Sequence, residues 1–181
     1  MKRRIVFAGD SITHAGPWQS LIPDHFVTNF AIPGHTTSDL LKLVPDIVQS
    51  DPELLIVMIG TNDFGGLRLS EAQVANNIIG VATEIKENLP NIPVIWHSLT
   101  PRSDEFSESM VTTNYAIRPE LEKLNFTFLN IYPELKEKNQ NKLEVSYCED
   151  PETFGLHLNA TGYQKWFEVL GPLISKILSE I

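Results

Sequence analysis

The sequence predicts an α/β fold built on a parallel β-sheet. Five short, continuous apolar runs have the length and composition of strands buried on both faces. Segments between them place apolar residues three and four apart, the period of an amphipathic helix. Strands alternating with helices make βαβ units.

The first strand is Ile5–Ala8, stopped by Gly9-Asp10-Ser11. The weaker second run, Phe26–Phe30, ends before Pro33-Gly34. Leu54–Ile59 (LLIVMI) is the clearest, all apolar and halted by Gly60, with Val94–His97 and Phe126–Ile131 following as the fourth and fifth. Thr37–Gln49 reads as a helix with Leu40, Leu41, Val44, Ile47 and Val48 on one side. Ser70–Asn88 is the next, with Ser70 and Gln73 forming a capping box. Glu108–Leu124 is a third, disturbed at Pro119, and Ala160–Ile181 a fourth, with a break expected at Gly171-Pro172. Residues 133–156 form the longest irregular stretch and read as surface loop with at most a short helical turn.

A chain of 181 residues fits one domain spanning 1–181. An apolar fraction of 42% excludes a disordered chain, and a net charge of −9 opposes a nucleic-acid groove. The single cysteine, Cys148, cannot form an intramolecular disulfide, and no run reaches the ~20 apolar residues of a membrane helix. The start is basic and then briefly apolar, but its apolar run breaks at Asp10, so a first strand is expected rather than a signal peptide. The expected location is the cytoplasm. A small molecule is the expected partner, with no nucleic acid and no membrane, and self-association into a homo-oligomer is left open.

An open parallel sheet binds ligands beyond the carboxyl ends of its strands, so the residues after each run carry the functional information. After the first stands Gly9-Asp10-Ser11-Ile12-Thr13, where a serine on a tight turn can expose its hydroxyl and helix-start N–H groups can hold negative charge. After the second stands Pro33-Gly34-His35, whose glycine can offer its N–H to a ligand. Gly60-Thr61-Asn62-Asp63 follows the third, with an Asn amide able to reach an oxyanion. His157, just before the last helical segment, is a natural base for a serine hydroxyl. Each block alone also reads as a cap, a turn or a packed histidine.

Taken in chain order, these blocks resemble the SGNH-hydrolase superfamily, the GDSL-type esterases, lipases and acylhydrolases. Gly9-Asp10-Ser11, Gly34, Gly60-Thr61-Asn62-Asp63 and Gly155-Leu156-His157-Leu158-Asn159 match its four blocks. The resemblance implies a flavodoxin-like three-layer α/β/α sandwich with a five-stranded parallel sheet. It further implies catalysis by Ser11 as nucleophile and His157 as base. The oxyanion hole would be made by the Ser11 N–H, the Gly34 N–H and the Asn62 amide, with no cofactor and no metal. The expected activity is hydrolysis of a small ester, short-acyl or acetyl, through an acyl-serine. A thioesterase or lysophospholipase of the same fold is an alternative.

One position departs from the pattern. The family places an Asp three residues before the His, and here that residue is Phe154. Three readings follow: another acid, Asp150 or Glu152 with Glu149 nearby, reaches His157; a main-chain carbonyl orients the imidazole; or the chain is a catalytically weakened binding protein. A flavodoxin-like binder of a phosphorylated ligand at Gly9–Thr13 is opposed by the acidic balance. Phe64, Trp18 and Phe154 could line an acyl pocket or the core. Arg102 could meet an anionic substrate group or pair with Asp104 or Glu105. His97 reads as a packed strand-end residue, and His14 and His35 flank the proposed site.

Overall fold

A computed structural model describes residues 1–181. Five parallel strands, β1 (Arg4–Gly9), β2 (Phe26–Asn29), β3 (Leu54–Met58), β4 (Val94–His97) and β5 (Thr127–Leu129), lie in the order β2-β1-β3-β4-β5. The central strands are buried on both faces, as their unbroken apolar runs require. The outer two are not: β2 is largely exposed and β5 half-buried, because an edge strand is covered less completely.

Two short helices, α1 (Ser11–His14) and α2 (Trp18–Leu21), follow β1. Next come α3 (Thr37–Gln49), α4 (Thr61–Gly65), α5 (Glu71–Asn88), α6 (Ser107–Lys123), α7 (Tyr132–Leu135) and α8 (Ala160–Ser179). The helices α3, α5 and α6 pack side by side, and the sheet with its helices forms a three-layer α/β sandwich. Its aromatic core is centred on Trp18, stacked on Phe7 of β1 at 4.5 Å and edge-on to Trp166 of α8 at 5.0 Å.

The helix α8 runs unbroken through Gly171-Pro172, against the expected break, and α6 runs through Pro119. A third proline, Pro45, lies within α3. All three sit on exposed faces, and the residues four before them, Leu41, Tyr115 and Glu168, are exposed as well. The carbonyl that each proline leaves without an amide partner therefore faces water, which removes most of the penalty.

The stretch 133–156 is more than surface loop. Leu135, Leu143 and Cys148 are buried, a 3-10 turn spans Val145–Tyr147, and an isolated bridge pairs Cys148 with Leu158. The segment delivers a side chain to the sheet edge.

In this strand order the chain leaves β1 toward one edge and returns to build β3 toward the other. The turns after β1 and β3 diverge there and open a crevice. Ser11 and Asn62 stand on those two turns.

Candidate active site

The turn after β1 is tight because Gly9 lets the backbone approach β3: a Cβ on Gly9 would stand 2.2 Å from the Met58 carbonyl oxygen. Asp10 then caps α1, accepting the Ile12 N–H at 3.0 Å. Ser11 is the first helical residue, so its amide has no intrahelical acceptor. Its Oγ lies 3.0 Å from His157 Nε2.

The other imidazole nitrogen, Nδ1, lies 2.7 Å from Asp150 Oδ2. Asp150 Oδ1 accepts the N–H groups of Leu156 (2.9 Å) and His157 (3.0 Å). The acid thus comes seven residues before the histidine instead of three. The turn between them makes this reach possible: the amides of Thr153 and Gly155 both bond to the Asp150 carbonyl. Gly155 sits at φ 56°, and a Cβ there would stand 2.5 Å from Ser103 Cβ, so only glycine fits. Burial alone would raise the Asp150 pKa, but the hydrogen bonds from Leu156, the His157 ring, the His157 amide and Cys148 outweigh it and hold the carboxyl below the usual range.

Of the two acids named from sequence, only Asp150 meets the ring. Glu152 is exposed and makes no hydrogen bond, because Pro151 and the turn carry its side chain into solvent. No main-chain carbonyl takes the Nδ1 proton, and the absence of an acid, on which the binding-protein reading rested, does not arise. Phe154, at the position expected to be acidic, is 62% exposed and stands perpendicular to the imidazole, the ring centroids 6.4 Å apart.

Gly34 lies in the turn after β2 at φ 81°, a conformation that favours glycine. Asn62 follows Gly60, which is at φ 131° and where a Cβ would meet Ile78 Cδ1 at 2.9 Å. One proton of the Asn62 amide goes to the His35 carbonyl at 2.9 Å, leaving the second N–H unassigned. The neighbours of Asn62 are also tied down. The buried Asp63 carboxylate accepts both the N–H and the hydroxyl of Thr37, joining α4 to the start of α3. Arg102 Nη1 donates to the carbonyl (3.0 Å) and hydroxyl (3.1 Å) of Thr61, and Arg102 pairs with Asp104. Arg102 is 4% exposed, so it braces the turn that carries Asn62 and its charge is not free for a ligand. Nothing in the spacing of the sequence announces Asp63, Thr37 or Arg102 as braces, since their partners lie 26 to 41 residues away.

Ser11, Gly34, Asn62 and His157 share one cavity of about 560 Å³ with Phe154, Phe106 and Leu156. Trp18 and Phe64 lie in the core instead. His97 is buried with Trp166 Nε1 donating to it at 3.5 Å, and burial lowers its pKa to about 3, so it stays neutral. His14 Nδ1 lies 2.8 Å from the Ala31 carbonyl oxygen. Burial pushes the Cys148 thiol up to about 11, which leaves it unreactive.

Asp10 is fully buried, and its Oδ2 has no hydrogen-bond partner. Burial raises its pKa to about 7, against the pull of the Ile12 N–H and of His157. The folded state therefore holds this proton more tightly than the unfolded chain. The stability so conferred is complete below the unfolded pKa and is lost as pH rises through about 7. Asp10→Asn keeps an oxygen for Ile12 and removes the titration. Urea unfolding at about pH 5 and about pH 8 is expected to show the difference moving in favour of the variant by a few kcal/mol at the higher pH. A pH-independent difference would contradict this role of burial.

Comparison with known proteins decides the family. The GDSL-like Lipase/Acylhydrolase family matches residues 7–165. The chain belongs to this GDSL-like family. It is therefore a carboxylic-ester hydrolase by class. Among proteins of known sequence it is similar to a Drosophila melanogaster protein named platelet-activating factor acetylhydrolase IB subunit beta homolog, with 22% identity over 97% of this chain and 79% of the other. In structure it is similar to a GDSL-like lipase of Bacteroides thetaiotaomicron (TM-score 0.79, 24% identity, 96% and 88% of the two chains). It is also similar to a carbohydrate esterase family 3 protein of Talaromyces cellulolyticus (TM-score 0.78, 15% identity, all of both chains). No helix of this GDSL-like chain is long and apolar enough to cross a membrane.

Proposed function

We propose that this chain cleaves a small carboxylic ester, short-acyl or acetyl, through an acyl-Ser11 intermediate. The observation that carries the reading is the continuous relay from Ser11 through His157 to Asp150, at 3.0 and 2.7 Å. Asp150 holds the proton on Nδ1, which leaves Nε2 as an acceptor toward the hydroxyl. As Ser11 Oγ bonds to the ester carbon, its proton passes to Nε2 and the carbonyl oxygen becomes an oxyanion. The Ser11 N–H, the Gly34 N–H and the second Asn62 N–H receive that charge. Such donors lower the barrier because they are aimed before the charge develops, and losing one costs about 10²–10³ in rate.

The ester C–O bond then breaks and Nε2 returns its proton to the departing alcohol. Water attacks the acyl-serine, giving its proton to Nε2, and the acid leaves as Ser11 recovers its hydrogen. No step draws on a cofactor or metal.

The short acyl group is supported by the cavity lining. Of its fifteen residues only Phe106, Phe154 and Leu156 are hydrophobic, too few to cover a long hydrocarbon chain. The acetylhydrolase name of the Drosophila relative points the same way. A series of 4-nitrophenyl esters of graded acyl length tests it: kcat/KM is expected to fall steeply beyond the shortest acyl groups. A maximum at long chains would refute the small-acyl reading.

A further inference from the structure

We propose that Phe154 is the stacking face of a subsite for the leaving alcohol, and that the preferred alcohol carries a flat ring. The proposal rests on the ester-hydrolase reading above. Because Asp150 serves the imidazole from seven residues away, position 154 is released from proton transfer. What stands there is a phenyl ring, 62% exposed on a cavity wall, at a right angle to the His157 ring. A large apolar side chain left in water is uninformative when its backbone is loose, but the backbone that carries this one is pinned. Both flanks of its turn are fixed, by the Thr153 and Gly155 amides on the Asp150 carbonyl and by the Ser103 amide on the Gly155 carbonyl at 2.9 Å.

The stereochemistry of ester cleavage assigns this wall to the alcohol. The oxyanion points to the hole formed by Gly34 and Asn62. The ester oxygen must lie within reach of Nε2 to be protonated as it leaves. The alcohol therefore extends along the His157 side, where Phe154 is the ring's neighbour. A second aromatic face lines the same cavity: Phe106, with the guanidinium carbons of Arg68 and Arg102 each 5.1 Å from its centroid. Two of the three hydrophobic lining residues are thus aromatic rings, and their surroundings are polar. Such a site favours an alcohol with a flat apolar face and polar edges, either an aryl ring or the C–H face of a sugar ring.

The test holds the acyl group constant and varies the alcohol: ethyl acetate, benzyl acetate and methyl 6-O-acetyl-glucopyranoside. Phe154→Ala is expected to lower kcat/KM about tenfold on at least one ring ester while ethyl acetate stays within about twofold, and Phe154→Trp to restore the loss. The ring ester affected tells aryl from sugar. An equal loss on all three esters would mean that Phe154 acts by positioning His157, and no loss on any would mean that it is idle; either overturns the proposal. If the parent hydrolyses none of them, the proposed acetyl-ester specificity fails separately. The subsite is then judged by titrating benzyl alcohol and the deacetylated glucoside against the His157 ring signals in NMR. A shift in the parent that Phe154→Ala abolishes supports it, and none in the parent overturns it.

Discussion

Ser11→Ala is expected to lower kcat about a millionfold while the protein stays folded. The two parts of that expectation have different physical grounds. The hydroxyl is the only group that can carry the acyl chain, so its loss removes the covalent route and leaves water to attack directly. Six decades in rate correspond to about 8 kcal/mol of barrier. Some catalysis persists, because the oxyanion donors still stand where charge develops. The fold, in contrast, barely uses the hydroxyl: the cap of α1 is the Asp10 side chain on the Ile12 amide, and the apolar residue that α1 gives to the core is Ile12. The thermal midpoint and circular dichroism of the variant should match the parent. A fluorophosphonate probe should label the parent at Ser11 and leave the variant unlabelled. Full esterase activity in Ser11→Ala would end the proposed scheme.

The second large effect separates the two acids of the loop. Asp150→Asn is expected to cost about 10⁴ in kcat, the loss that follows when a serine–histidine pair loses the carboxylate that fixes its tautomer. Asn can keep one oxygen for the Leu156 and His157 amides, so the turn survives. Its NH₂ group then faces Nδ1, which must accept a hydrogen bond instead of donating one. That tautomer puts a hydrogen on Nε2 and points it at Ser11, where a lone pair is needed. Glu152→Gln should leave kcat within about twofold, since an exposed charge without a partner contributes little. Steady-state kinetics on a short acyl ester measures both. Comparable losses in the two variants would show that the carboxylate at 150 is not the one that orients the ring.

The legible and illegible parts of this chain divide on sequence distance. The strands β1, β3 and β4 stand out because burial on both faces demands unbroken apolar runs, and α3 begins and ends where its periodicity does. The serine, glycine and asparagine are legible because each follows a strand at one edge of a parallel sheet, and the histidine because it stands just before the last helix. The acid was ambiguous. A turn fixed by a glycine at positive φ decides which carboxylate reaches the ring, and the tight contact of Gly155 with Ser103 is a tertiary fact. The continuity of α8 and α6 through their prolines was hidden for a similar reason. Whether a proline ends a helix depends on which way the orphaned carbonyl faces, and that is known only once the helix is docked.

The end of α8 nearest the site has one more consequence. Its cap, Asn159, accepts the Gly162 amide and donates to the carbonyls of Ser146 and Cys148, so the segment bearing Asp150 and His157 is sewn to that helix. The proposed nucleophile and oxyanion donors are encoded within the first 62 residues, whereas the proposed acid and base arrive together near the end. A partly folded chain with α8 undocked therefore presents a serine with no base beside it. In the proposed scheme the hydroxyl would become reactive only after the last helix has seated, so assembly of the molecule itself would act as the safety catch on its chemistry.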